Sequence, residues 1–102
     1  MARAKVYRFS DDEQRGALMA RALGHPARIR ILEAIRERRV MSYNEIVRLI
    51  PLARGTMSQH IAQLNRVDLI TAEELSDGRT GYALNNWAVE EAYTLISGVL
   101  AA

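Results

Sequence analysis

Apolar residues recur at helical spacing through most of the chain. Leu18, Met19, Ala22 and Leu23 share one side of a segment that predicts a helix over about 11–23. Ser10 and Glu13 form a capping box at its start, Asp11 and Asp12 favour its positive end, and Gly24 closes it. Pro26 suits the first turn of a second helix, whose buried stripe is Ile31, Leu32 and Ile35, with Ile29 at the edge. Val40 and Met41 read as a very short strand. Ser42 and Glu45 open a third, short helix that buries Ile46, Val47 and Ile50 before Pro51 stops it. A tight turn then leads to a fourth helix over 54–67, with Met57, Ile61 and Leu64 on one face. Asp68 ends it, because Asp tolerates the left-handed conformation.

The period then changes. Residues 69–75 and 79–84 read as two strands joined by the turn signal Ser76-Asp77-Gly78. Asn86 reads as the cap of a last helix over about 87–100. The expected fold class is mainly α with a small β-hairpin, in the order α-α-(short β)-α-α-β-β-α. One domain of residues 1–102 is expected, with residues 1–9 as an N-terminal arm.

Two short helices joined by a tight turn and followed by a hairpin make a winged helix-turn-helix. One α-helix fits the major groove of B-DNA, where each base pair shows its own donors and acceptors. The helix over 54–67 suits that task. Above its buried face it offers Arg54, Thr56, Ser58, Gln59, Gln63 and Arg66. Gln bonds adenine bidentately, Arg bonds guanine, and a Thr methyl meets a thymine methyl. Residues near the helix start reach base edges most readily, which favours Arg54, Thr56, Ser58 and Gln59 over Arg66. His60 either touches DNA or packs locally. Arg79, at the hairpin tip, is a candidate for a phosphate or the minor groove. Arg28 either bonds a phosphate or pairs internally, with Glu45 or Asp68 as candidate partners.

The last helix carries a wide apolar stripe of Val89, Ala92, Tyr93, Ile96, Val99 and Leu100, with Trp87 at its start. One small core cannot cover such a stripe, and large exposed apolar patches mark interfaces. Residues 86–102 are therefore expected to form a dimerisation helix. Its complement is Leu18, Met19 and Ala22 on the first helix, paired across a two-fold axis.

Composition narrows the chemistry. The formal net charge is only +2, but Arg28, Arg30, Arg36, Arg38 and Arg39 crowd one stretch, which suits a polyanion. There is no cysteine, so disulfides, thiolate metal sites and thiol switches are excluded. No secretory leader is read at the start, and no apolar run approaches the roughly 20 residues that span a bilayer. A cytoplasmic location follows as the expectation, with no membrane partner. No nucleophile–base pair, phosphate-cradling glycine loop or carboxylate pair is found. No catalytic residue, cofactor or metal site is expected, and the sequence names no small-molecule effector.

The stretch from Leu23 through Gly24-His25-Pro26-Ala27-Arg28 to Leu32 resembles the start of the arsenic-repressor (ArsR) family of winged-helix regulators. Thr56-Met57-Ser58-Gln59-His60-Ile61-Ala62-Gln63-Leu64 is similar to its recognition helix, and Asp77-Gly78-Arg79 with Tyr82 to its wing. The resemblance covers about 15–100. It implies a dimeric repressor whose first and last helices form the interface. The chain also departs from the family. His25 stands where an Asp cap is usual, and Ala53 where a Ser cap is common. Glu73 and Glu74 occupy wing positions where basic residues are frequent. Ser42 and Asn44 lie where metal-sensing members carry a Cys-x-Cys pair, so soft-metal sensing lacks ligands. Two functions are in play: a homodimeric repressor reading an inverted repeat, and a winged-helix interaction module without specific DNA binding. The polar 54–67 helix favours the first and the acidic wing strand favours the second.

Overall fold

The computed structural model describes residues 8–101. Of the arm expected over 1–9, residues 1–7 lie outside this range, as does residue 102 at the far end. Five helices and three strands follow in the order α1 (Asp11–Leu23), α2 (Pro26–Arg38), β1 (Val40–Ser42), α3 (Tyr43–Leu49), α4 (Arg54–Arg66), β2 (Ile70–Glu74), β3 (Thr80–Leu84) and α5 (Asn86–Leu100). This is the winged helix-turn-helix order expected.

Local chemistry sets most boundaries. In α1 the Glu13 amide donates to Ser10 Oγ at 3.0 Å, and the Ser10 amide donates to Glu13 Oε1 at 2.9 Å. Ser42 and Glu45 repeat this reciprocal cap at α3. His25 caps α2 by accepting from the Ala27 amide through Nδ1, so an imidazole replaces the usual carboxylate or hydroxyl. Ile50, ahead of Pro51, is extended, because the proline ring disfavours helical geometry in the residue before it. Asp68 has φ 62°, the left-handed conformation expected of it. One boundary differs: Asn85, not Asn86, caps α5, accepting from the Ala88 amide at 3.3 Å. β3 ends at Leu84, so Asn85 is the residue that leaves the sheet, and Asn86 already lies in the helix.

The three strands form one antiparallel sheet in the order β1-β3-β2. The short first strand thus joins the hairpin, with Met41 opposite Tyr82. Gly81 lies buried at the centre of this junction. A Cβ there would fall 2.7 Å from Leu75 Cδ2 and 2.8 Å from Val40 Cγ2, so only glycine fits without displacing them. Gly78 takes φ 84° at the hairpin tip, which L side chains rarely adopt.

Met19, Ile31, Ile35, Met41, Ile46, Met57, Leu64 and Ile70 are fully buried and join four of the helices and the sheet into one core cluster. Each such side chain contributes about 1.5–3 kcal/mol on leaving water. α5 lies along α1, where Ala88 and Ala92 are buried and an added Cβ at Gly16 would sit 3.7 Å from Leu95. Arg15 ties the two helices to α4. Its Nε reaches Glu91 Oε1 at 3.1 Å, and its Nη2 donates to the Val67 carbonyl at 2.9 Å.

Candidate nucleic-acid interface

α4 carries the candidate interface, and its underside fixes how it is presented. Met57, His60, Ile61 and Leu64 are buried, spaced three and four apart. At about 100° per residue, the line opposite them holds Gly55, Gln59, Ala62 and Arg66, all exposed. This crest is the part of α4 that stands furthest from the core. Arg54 and Ser58 lie on one flank of it, and Thr56 and Gln63 on the other.

Tyr43 of α3 holds the first flank. Its hydroxyl donates to the Arg54 carbonyl at 2.9 Å and lies 3.2 Å from Ser58 Oγ. A phenol has one proton, so Ser58 must be the donor of the second bond. The Arg54 guanidinium sits 5.7 Å from the centre of the Tyr43 ring, within cation–π range. Ser58 is therefore engaged with α3, whereas Gln59 stands clear. Ala53 provides no side-chain cap, as its type dictates, so the amides of the first turn of α4 stay open to an acceptor such as a phosphate.

His60 is corrected as a base-contact candidate. It is 5% exposed, and its Nδ1 accepts from Arg28 Nε at 3.0 Å. Its ring lies 4.4 Å from that of His25, tilted by 53°. With Nδ1 accepting, the proton belongs on Nε2, which is buried without a partner among the described residues. Burial, then the neighbouring His25 and Arg28, lower the His60 pKa below its usual 6.5 and keep the ring neutral. Arg28 is thus internal, but with neither Glu45 nor Asp68. Besides His60 it donates through Nη1 to the Arg21 and Ala22 carbonyls, each at 3.3 Å, closing the end of α1.

At the hairpin tip Arg79 is exposed but paired. Its Nε meets Asp77 Oδ2 at 2.6 Å, and its amide donates to Asp77 Oδ1. These two bonds lower the Asp77 pKa, so the tip carries a balanced pair rather than a lone cation. Glu73 and Glu74 are exposed on the outer strand of the sheet.

The residues expected at a dimer seam divide into three sets. Met19, Ala22 and Ala92 are buried between α1, α5 and the core, and so have no surface left to share with a second chain. Leu18 is exposed, and Tyr93, Val99 and Leu100 are 76%, 79% and 77% exposed. Val89 and Ile96 are half-buried beside an apolar groove of about 460 Å³ between α2 and α5. Among the described residues no three His, Cys, Asp or Glu side chains gather to hold a metal ion, and no helix is long and apolar enough to cross a membrane.

A family model for helix-turn-helix domains matches residues 23–76, from the end of α1 to the hairpin turn. No curated protein sequence matches the chain. Solved structures share the fold over nearly its whole length. An ArsR-like transcriptional regulator from Rhodococcus sp. RHA1 is 16% identical with a TM-score of 0.77, over 90% of this chain and 85% of that one. A protein of M. tuberculosis is 28% identical with a TM-score of 0.69, over 91% and 92%. The transcriptional repressor PagR of Bacillus anthracis is 21% identical with a TM-score of 0.67, over 82% and 94%.

Proposed function

The chain belongs to the helix-turn-helix domain family and folds as the ArsR-type transcriptional regulators do, and from this we propose that it is a sequence-specific transcriptional repressor acting as a homodimer in the cytoplasm. The observation that carries the reading is the crest of α4. Gln59 and Arg66 stand exposed above an underside that is fully packed. A helix held this way enters a major groove without reorganising the domain. Gln59 reads a base edge, with Arg54, Thr56 and Gln63 flanking it. Ser58 serves chiefly to fix α4 against Tyr43.

The outer face of α5 supplies the dimer contact. Tyr93, Val99 and Leu100 are exposed apolar side chains on one helix, and a second copy covers them across a two-fold axis. Such a dimer sets two α4 helices about one helical turn of DNA apart, roughly 34–36 Å, and so reads an inverted repeat. Selection of bound sequences from a random duplex library tests both statements. An enriched inverted repeat supports them. Recovery of no motif favours an interaction module instead, a reading to which the exposed Glu73 and Glu74 lend support.

A further inference from the structure

A polar pocket of about 430 Å³ lies where the end of α1, the start of α2 and the last turns of α4 meet. Arg21, His25, Arg28, Gln63 and Arg66 supply its polar lining beside Leu18 and Val67, and among the described residues no carboxylate lines it. It occupies the flank of α4 away from Tyr43, since Ser58 and Gln63 are five residues, or about 140°, apart around the helix.

The arginines are unequal. Arg28 is held in place by His60 and by two α1 carbonyls, which use Nε and Nη1 and leave Nη2 without a partner among the described residues. The side chains of Arg21 and Arg66 form neither hydrogen bonds nor ion pairs there. By contrast, Arg15 has Glu91 and Arg79 has Asp77. Three guanidinium groups thus share one concavity with no negative charge among the described residues lining it to offset them. Guanidinium forks match the oxygens of a phosphate, and one fixed donor lowers the ordering cost of binding it.

We propose that this pocket seats a phosphate group, with Arg28 as the preset donor and Arg21 and Arg66 closing on it from α1 and α4. Arg66 belongs to both the pocket and the crest of α4, so a duplex lying along the crest brings its backbone to the pocket mouth. That source rests on the reading of α4 as the groove-entering helix. A free phosphorylated small molecule has the same chemistry, and the two sources are separable.

The test uses the full chain, the double variant Arg21→Gln/Arg66→Gln, and Arg21→Lys/Arg66→Lys, which keeps positive charge at both helix ends. In the first arm, duplex affinity is measured over a salt series on a selected site and on a scrambled one. A backbone phosphate in the pocket predicts that the Gln variant weakens both duplexes by the same factor. With two chains on the duplex, its slope of log affinity against log salt becomes shallower by about 1.8, about 0.9 for the one phosphate seated in each pocket. The Lys variant keeps the slope. In the second arm, inorganic phosphate is titrated into the free protein and followed by amide chemical shifts. Saturable binding that the Gln variant loses, with its duplex slope unchanged, assigns the pocket to a free phosphate. An unchanged slope together with no phosphate binding overturns the proposal. If the unaltered chain binds no duplex, the DNA reading itself fails and the phosphate arm alone decides the pocket. Thermal melts of each variant confirm that the fold is intact.

Discussion

Both α4 and α5 turn one side into the core and the other to solvent, but α4 displays Gln59 and Arg66 where α5 displays Tyr93, Val99 and Leu100. Water satisfies the first face at little cost. The second stays unfavourable until something apolar covers it, at about 25 cal/mol per Å². The inner sides differ in a matching way. α4 is anchored by the large side chains Met57, Ile61 and Leu64, which fix its orientation. α5 is anchored through Ala88 and Ala92, which bring it close to α1 and leave its bulk outside. One helix is finished for a polar partner and the other for an apolar one.

The largest effect is expected from spoiling the apolar face. Tyr93→Glu/Val99→Glu places two charges on exposed positions, so the monomer keeps its fold. It should sediment as a monomer and lose roughly 10²–10⁴ in affinity for a two-half-site duplex, the typical gain from linking two binding events. A variant that remains dimeric breaks the assignment of the α5 face. Gln59→Ala acts on the other face. It should cost about 1–3 kcal/mol against the selected sequence, leave scrambled duplex unaffected, and leave the melting temperature unchanged. Equal losses on both duplexes would remove Gln59 from base readout.

Much of this contrast is legible along the chain, because caps and stripes are local. The Ser10 and Ser42 boxes, the Pro51 stop and Asp68 all declare themselves within a few residues. What escapes is which side of a helix its neighbours occupy. His60 reads as polar, yet it lies three residues after Met57 and four before Leu64, the spacing of a buried position. That spacing is the signal for its burial. Its partner Arg28 is 32 residues away and cannot be inferred from pattern. Tyr43 likewise gives no local hint of holding Arg54 and Ser58. In α5 the apolar stripe wraps too far around for sequence alone to separate Ala92, which faces inward, from Tyr93, which faces out.

Two smaller effects sharpen the view that α4 owes its stability to its underside and neighbours. α3 has a reciprocal cap and α4 has none, so Ser42→Ala should destabilise the domain by about 0.5–2 kcal/mol in chemical denaturation. Ala53→Ser, adding a cap where none exists, should stabilise it by a comparable or smaller amount; a loss there would show that the turn before α4 resists a cap. The pH dependence has a definite sign. His60 binds its proton less readily folded than unfolded, so stability is full above pH 6.5, where both states are neutral. It declines as pH falls below 6.5, because the unfolded chain protonates first, until folded His60 titrates as well. Melting temperatures recorded from pH 8 downward should therefore fall, and His60→Asn should flatten the decline. An unchanged profile in that variant would mean that another group carries it.

The coupling of the two faces is tested most directly by the stoichiometry of the complex. Sedimentation velocity on the selected duplex, with protein and DNA absorbance recorded separately, counts the chains bound. Two chains on a duplex whose half-sites lie about 10–10.5 base pairs apart is the expected result, with one half-site alone bound far more weakly. One chain per duplex, bound as tightly to a single half-site as to the pair, would contradict it.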